Sequence, residues 1–331
     1  MKKKLIFLAV VLAAAAGLLV HNAARFYGTY TGRTTDRRLV QIELSYDGSA
    51  VINARNIFDA AVEGTYTADE NKVTVSFTFD GTAHELRGIR DGKVISIAAD
   101  EAAGFPEIEL TFITAIDRII GWMPALLEAS WITLSLTVIS MCLSIILSVF
   151  LALGKIAKNP VISSVSGAYI FFFRGTPLLM QLFFIYFALP MIHPVLTIQS
   201  RFIAAVVAFT LNIAAYNAEI IRAAIQSIDK GQMEASKALG LGYVQAMRLV
   251  IIPQAYRRMI PPLCNEFVLV LKDVSLVFVI GLMDLTSQTR KIQSSSATAL
   301  VFIPAMVIYL LMTYIFTTVF NRLEKKLSEY E

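Results

Sequence analysis

The segment ASWITLSLTVISMCLSIILSVFLALG, residues 129–154, contains 26 consecutive residues without a charged side chain. As a helix it would be about 39 Å long, because each residue adds about 1.5 Å, and this exceeds the roughly 30 Å hydrocarbon core of a bilayer. The segment therefore predicts a transmembrane helix. Four more apolar runs follow, at about 161–192, 202–218, 263–282 and 297–320. Together they predict an all-α membrane bundle of five spans within residues 118–331.

The second apolar run is too long for one straight helix across a membrane. It holds 32 residues, and only Arg174-Gly-Thr-Pro177 interrupts it. Proline lacks an amide hydrogen and clashes with the preceding turn, so we expect a bend or break between Gly175 and Pro177. An arginine beside such a break has two possible partners, a ligand carboxylate or the carbonyls that the break frees. Both roles remain open for Arg174.

The composition excludes an ordinary soluble enzyme. Hydrophobic residues make up 56% of the 331 residues and charged residues 16%, against roughly 45–50% and 25% in soluble chains. Residues 26–117 carry eight basic and 15 acidic side chains, whereas residues 118–331 carry 17 and ten. Because the basic excess lies in the apolar part, the pI near 9.0 does not indicate nucleic-acid binding. Cys142 and Cys264 lie within apolar runs and predict buried side chains, not a disulfide or metal site.

Residues 1–24 predict a signal peptide or an N-terminal anchor. Three lysines at positions 2–4 precede an uncharged run from Leu5 to Val20. Sixteen residues make a helix of about 24 Å, which is shorter than the hydrocarbon core and favours a cleaved signal over a stable span. Either outcome places residue 26 outside the cytoplasm.

Residues 25–115 predict a small extracytoplasmic all-β domain. Short stretches such as Val73-Thr-Val-Ser-Phe-Thr-Phe79 alternate with period two, which is typical of half-buried strands. The Asp-Gly pairs at 47–48, 80–81 and 91–92 are typical of hairpin turns. We expect a meander or barrel of six to eight strands. His84 lies beside Glu85, and since neighbours in a strand face opposite sides, we interpret it as a surface residue.

The basic residues predict the orientation of the spans. With residue 117 outside, the inner segments 155–160, 222–262 and 321–331 hold eleven lysines and arginines, whereas the outer loops hold three. Inner loops of membrane proteins carry this excess. The C-terminus is therefore predicted to be cytoplasmic.

The inner loop of residues 222–262 contains a specific motif. Gln232 to Gly240 predicts a short helix closed by glycine, and Tyr243 to Ile252 predicts a second helix ended by Pro253. The sequence Glu234-Ala-Ser, then Gly240 and, after nine more residues, Val-Ile-Ile-Pro253 resembles the EAA loop of ABC importer permeases. Three more segments resemble the histidine, glutamine and arginine branch of that family: Phe173-Arg-Gly-Thr-Pro-Leu-Leu179, Ala215-Tyr-Asn-Ala-Glu-Ile-Ile-Arg222 and Leu271-Lys-Asp-Val-Ser-Leu276.

This resemblance implies the fold of a type I ABC importer permease and a non-catalytic role in transporting polar amino acids across the bacterial inner membrane. The implied partners are an ABC ATPase dimer, a second permease subunit, an extracytoplasmic amino-acid-binding protein and membrane lipid. ATP and Mg²⁺ would bind to the ATPase chains, and no cofactor to this chain, whose sequence contains no phosphate-binding Gly-x4-Gly-Lys-Ser/Thr loop. The coupling residues implied by the motif are Glu234, Ala235, Gly240 and Pro253.

Ionisable residues inside a span are costly, and their presence indicates a functional site. Lys272 and Asp273 lie near the middle of the fourth span. Lys272 shares a helix face with Ser275, and Asp273 shares one with Glu266. Neighbouring positive and negative groups could receive the carboxylate and ammonium of an amino acid. By resemblance, the predicted substrate-binding residues are Lys272, Asp273, Ser275 and Arg174, and the alternative for the charged neighbours is a structural ion pair.

Two other functions are compatible with these patterns. An ion-coupled secondary transporter could use Lys272 and Asp273 without a partner ATPase. A membrane-anchored sensor could bind its ligand in the β-domain.

Overall fold

The computed structural model describes residues 28–34, 39–54, 57–58, 60–102, 104–113, 115–296 and 298–328. The predicted signal or anchor at residues 1–24 lies outside these residues. The chain forms two compact units, Met1–Gly121 and Trp122–Glu331. Each is described by itself below.

The described residues of the first unit form a closed barrel of eight antiparallel strands in chain order. Each strand pairs with its neighbour in sequence, and the first strand pairs with the last, so that the sheet closes. This agrees with the predicted meander or barrel of six to eight strands. The strands are β1 (Gly28–Arg33), β2 (Leu39–Leu44), β3 (Ser49–Asn53), β4 (Val62–Asp69), β5 (Lys72–Phe79), β6 (Thr82–Asp91), β7 (Val94–Ile97) and β8 (Ile108–Ile113).

The three Asp-Gly pairs lie at the predicted turns. The pair between β5 and β6 shows the reason most clearly, since Asp80 has φ 50° and Gly81 φ 79°. A two-residue turn with both residues in the left-handed region matches the twist of the flanking strands. Glycine adopts this conformation at little cost, and aspartate tolerates it better than most other residues.

The barrel interior is a packed apolar core. Alternate residues of the strands point inward, as the period-two pattern predicts. Large side chains fill the centre, including Tyr30, Phe58, Leu86 and Phe105, each 1% exposed. The ring of Phe58 stacks on that of Phe105 with centroids 6.3 Å apart.

The prediction that His84 lies on the surface is wrong. The inward positions of β6 are His84, Leu86 and Gly88, whereas Glu85 and Arg87 face outward. The His84 ring stacks on Phe77, and its Nδ1 lies 3.6 Å from a carboxylate oxygen of Asp100. The period-two alternation of β6 is present as predicted, but the sequence does not show which of the two faces of the strand is internal.

The second unit is helical and contains the predicted apolar runs. The helices in the described residues are α1 (Ala115–Lys155), α2 (Pro160–Gly175), α3 (Leu178–Ile192), α4 (Arg201–Gln226), α5 (Lys230–Ala238), α6 (Tyr243–Ala246), α7 (Ile252–Asp273), α8 (Leu285–Ser296) and α9 (Phe302–Ser328). A π-helical turn, Met247–Ile251, joins α6 to α7, and a 3-10 segment, Val274–Ile280, follows α7.

Three helical segments in the described residues are long and apolar enough to cross a membrane: α1, α4 and Ala299–Lys326. A fourth crossing is added if α2 and α3, which meet at an angle of 102°, form one broken span. This bend confirms the break predicted between Gly175 and Pro177. The predicted span 263–282 is not one continuous apolar helix, because α7 ends at Asp273 and carries ionisable residues.

Helix α4 lies at the centre of the helical unit and packs against α2, α3 and α7. Its buried face is rich in alanine: Ala204, Ala205, Ala208, Ala214, Ala215 and Ala218 are fully buried. Small side chains let neighbouring helices approach closely, as is common in membrane bundles. The same helix carries two buried amides, Asn212 and Asn217. Asn212 belongs to the site described next.

Candidate substrate cavity and coupling loop

A cavity of about 400 Å³ lies between α2, α3, α4 and α7. Its wall combines apolar side chains with a few polar ones, the composition typical of sites for small molecules. The polar lining residues are Arg174, Thr176, Asn212, Tyr216, Glu266 and Asp273.

The charged groups come from two helices. Glu266 and Asp273 lie seven residues apart, and two helical turns bring them to the same face of α7. Arg174 lies in the last turn of α2, and its guanidinium carbon is 5.3 Å from the ring centroid of Tyr216 on α4. The cavity therefore presents two carboxyl groups and one guanidinium to a bound molecule.

The structure brings together two of the four residues predicted to bind substrate. Arg174 and Asp273 line the cavity, whereas Lys272 and Ser275 do not. Lys272 is exposed and Ser275 half-buried on another face of the helical segment. One residue corresponds to about 100° of rotation on a helix, and this rotation places Lys272 away from the cavity that Asp273 lines.

The predicted set omitted four polar residues of the cavity wall: Thr176, Asn212, Tyr216 and Glu266. Glu266 was detectable, because it lies seven residues before Asp273 on the same face. Asn212 was also detectable, as an amide within the apolar run of α4. Tyr216 carries no comparable pattern, and only the fold places it next to Arg174.

The break between α2 and α3 has its own hydrogen-bond partners. The side-chain nitrogens of Gln181 and Asn212 each donate to the carbonyl of Phe173 at 3.0 Å. The carbonyl that the break frees is therefore hydrogen-bonded by these two amides and not by the guanidinium of Arg174. Of the two roles left open for Arg174, the first, binding a ligand carboxylate, is compatible with its position.

The predicted coupling loop, residues 222–262, contains α5, α6 and the turns around them. Helix α5 begins at an Asp229 cap, whose carboxylate accepts a hydrogen bond from the Gly231 amide at 2.7 Å. Glu234 and Ala235 are both exposed on this helix. Ser236 is buried on the opposite side, and its hydroxyl donates to the Gln232 carbonyl. Glu234 and Ala235 of the motif therefore face outward from a short helix with a side-chain cap at its start.

Gly240 ends this helix, as predicted. Its φ is 80°, in the left-handed region that favours glycine. The amide of Leu241 donates to the carbonyl of Ser236 at 3.1 Å, which closes the last turn in the usual glycine-dependent way. The chain then enters α6 at Tyr243.

The prediction that Pro253 ends the second helix of the loop is wrong. Pro253 lies in the first turn of α7, which continues to Asp273. Proline is tolerated there because first-turn amides have no partner within the helix. The π-helical turn Met247–Ile251 immediately before it is the actual interruption. Pro253 itself is exposed.

Large apolar side chains remain uncovered on the loop. Leu239 is 82% exposed, Val244 75% and Leu249 63%. All three lie within residues 222–262, the predicted coupling loop.

Comparisons with known proteins agree with this architecture. The family described as "Binding-protein-dependent transport system inner membrane component" matches residues 144–329. The probable amino-acid ABC transporter permease protein PatM of Vibrio harveyi is 45% identical over 174 residues, 53% of this chain and 78% of that protein. The glutamine transport system permease protein GlnP of Escherichia coli K12 is 38% identical over 207 residues, 62% of this chain and 94% of that protein.

A solved structure has the same helical fold. It is a crystal structure of an amino acid ABC transporter with histidines, 38% identical to this chain with a TM-score of 0.60. The match covers 63% of this chain and 97% of that one. The helical unit and its family match lead to one conclusion: the chain belongs to the family of binding-protein-dependent transport system inner membrane components.

Proposed function

We propose that this chain is the permease subunit of an ATP-driven importer of polar amino acids, and that its substrate passes through the cavity between α2, α3, α4 and α7. The observation that carries this proposal is the pairing of Arg174 with Glu266 and Asp273 in one cavity. A free amino acid offers a carboxylate and an ammonium group, and the cavity offers a partner of opposite charge for each. The similar solved structure is an amino acid transporter, which supports this substrate class.

The three charged groups also suggest how a substrate is oriented. Arg174 would hold the substrate carboxylate, since a guanidinium makes two parallel hydrogen bonds to such a group. Asp273 and Glu266 would receive the ammonium group, and the second carboxyl group favours a substrate with a further positive charge or hydrogen-bond donor. Thr176 and Asn212 add polar groups to the same wall.

The exposed face of α5 is the proposed docking site for an ATPase chain. Glu234 offers a charged group, and the small side chain of Ala235 allows close approach. The exposed apolar side chains of Leu239 and Val244 offer surface that a partner would bury. ATP and Mg²⁺ would bind to the ATPase dimer and supply the energy. Two permease subunits, identical or paralogous, would form the pathway, and an extracytoplasmic amino-acid-binding protein would deliver the substrate.

The proposed topology has five crossings of the bacterial inner membrane. The barrel lies on the outer side, and the coupling loop and C-terminus lie in the cytoplasm. The excess of basic residues in the inner segments, eleven against three, supports this orientation. The fourth crossing in chain order is formed by α7 and its 3-10 extension, and two of its charged residues, Glu266 and Asp273, face the cavity.

Two structural observations count against the other functions. A sensor that binds ligand within the barrel needs space there, but apolar side chains fill that interior. A secondary transporter that uses Lys272 and Asp273 together needs both in one site, but Lys272 lies outside the cavity.

Co-purification and uptake test the proposal. An affinity tag on this chain is expected to recover an ATPase with a phosphate-binding loop. Proteoliposomes containing the complex and its receptor should accumulate labelled polar amino acids only when ATP is enclosed in the lumen. The lumen corresponds to the cytoplasmic side in this assay. Recovery of the chain alone, with uptake driven by an ion gradient, would support the secondary transporter instead.

A further inference from the structure

The helix break beside the cavity is held by a buried pair of amides. Helix α2 ends at Gly175 and α3 begins at Leu178, so the last carbonyls of α2 have no partner within the helix. The two hydrogens of the Gln181 amide are shared among three acceptors: the carbonyl of Phe173 at 3.0 Å, that of Thr176 at 3.1 Å and the Thr176 hydroxyl at 2.7 Å. One side chain thus satisfies acceptors on both sides of Gly175.

Asn212 connects this arrangement to α4. Its side-chain nitrogen donates to the Gln181 amide oxygen and to the Phe173 carbonyl, both at 3.0 Å. Gln181 is 6% exposed and Asn212 7%. Because buried polar groups are costly when they lose their partners, each amide has a single favourable orientation here.

These contacts fix the position of Arg174. It lies between Phe173, whose carbonyl is held by both amides, and Gly175, where the helix ends. Tyr216 lies one helical turn after Asn212 on α4, and its ring faces the Arg174 guanidinium at 5.3 Å. One face of α4 therefore contacts both ends of Arg174. Asn212 binds the carbonyl of the residue before it, and the Tyr216 ring lies next to its guanidinium.

We propose that Gln181 is a positioning residue for substrate binding. It does not line the cavity, and it acts through the backbone of residues 173–176, which it holds so that Arg174 faces Glu266 and Asp273. This inference rests on the proposed function, because it assumes that Arg174 binds the substrate. It goes further by assigning a role to a residue outside the cavity.

The test compares Gln181→Met and Gln199→Met with the wild type in the reconstituted complex, and measures both the KM and the maximal rate of uptake. Gln181→Met keeps the length of the side chain but removes every hydrogen bond, and should raise KM by roughly tenfold or more, since small misplacements of a binding group are costly. The maximal rate and the recovery of the complex should change less than about twofold. Gln199→Met, at an exposed position between α3 and α4, is the matched control and should keep the wild-type KM.

A double variant separates positioning from a general structural role. If Gln181 acts through Arg174, then Gln181→Met should add less than about twofold to the KM of Arg174→Gln, because the two changes remove the same interaction. Effects that multiply in the double variant would overturn the proposal.

A variant with a shorter amide side chain keeps the inference testable if the Gln181→Met chain does not assemble into the complex. Gln181→Asn keeps the donor and acceptor on a chain one methylene shorter, and its KM should lie above that of the wild type. A wild-type KM in Gln181→Asn or Gln181→Met overturns this inference alone. A wild-type KM in Arg174→Gln overturns the substrate site itself.

Discussion

At the scale of single residues, Tyr30 connects barrel stability to pH. The side chain is 1% exposed, and its hydroxyl has no hydrogen-bond partner within the described residues. Burial raises the pKa of Tyr30 above its ordinary value of 10.0, although the charge of nearby Arg90 opposes the shift. The neutral hydroxyl is thus favoured in the folded barrel. Ionisation of this hydroxyl therefore leaves the stability of the barrel unchanged below about pH 10 and lowers it as the pH rises through the folded pKa.

Tyr30→Phe should therefore stabilise the barrel. The substitution keeps the ring against Phe112 but removes an unpartnered hydroxyl, and we expect a gain on the order of 1 kcal/mol in the free energy of unfolding. The gain should increase above about pH 10, where only the wild type loses stability. Urea unfolding of a fragment containing residues 26–115, followed by circular dichroism at neutral and alkaline pH, measures both effects. A less stable variant at neutral pH would show that the hydroxyl has a partner.

At the scale of elements, the sequence predicts boundaries well where one residue imposes a backbone geometry. The break near Pro177 and the helix end at Gly240 follow from proline and glycine chemistry, and both are present. The groups that hold the break were not predictable, since Gln181 and Asn212 are 31 residues apart in sequence. Pro253 was misassigned because proline also fits the first turn of a helix. The choice between the two roles depends on the π-helical turn before it.

The coupling loop provides a matched pair of glycines for an element-scale prediction. Gly240 has φ 80°, whereas Gly242 has φ −67°. An alanine in the left-handed region costs about 1–2 kcal/mol, and at Gly242 no such cost arises. Gly240→Ala should loosen the end of α5 and lower both the recovery of the ATPase chain and substrate-stimulated ATP hydrolysis.

Gly242→Ala is the control and should match the wild type, since a Cβ at Gly242 would meet its nearest neighbour, a Gln245 oxygen, at an ordinary 3.7 Å. Equal coupling in the two alanine variants would exclude a role for the glycine-dependent turn.

At the scale of the whole molecule, an acidic barrel is joined to a basic helical unit. The family match covers residues 144–329 and so excludes the barrel. Four of the five predicted spans correspond to long apolar helical segments in the described residues, with α2 and α3 counted as one broken span, because apolar length is a strong pattern. The predicted span 263–282 does not. The cavity was only partly predictable, because α2, α4 and α7 contribute to it from distant parts of the chain. Charge patterns identified Arg174 and Asp273, but only the packing shows that Lys272 faces elsewhere.

Cysteine labelling tests the proposed orientation. In a chain with Cys142 and Cys264 replaced by alanine, a cysteine at exposed Thr78 in β5 should react with an impermeant maleimide in intact spheroplasts. A cysteine at exposed Lys237 in α5 should react only after the membrane is opened. Thr78 and Lys237 are both exposed. The reverse pattern would place the barrel in the cytoplasm and invert the topology.

The central claim is that the cavity carries the substrate, and one measurement tests it most directly. ATP-driven uptake of labelled amino acids is compared in proteoliposomes containing wild-type, Asp273→Asn or Lys272→Gln complexes. Asp273→Asn removes a charge that faces the cavity and should raise KM by about tenfold or more, the equivalent of losing one hydrogen bond to a charged group. Lys272→Gln removes a charge on another face of α7 and should retain the wild-type KM. Wild-type uptake by Asp273→Asn, or an equal loss in both variants, would contradict this assignment of the cavity.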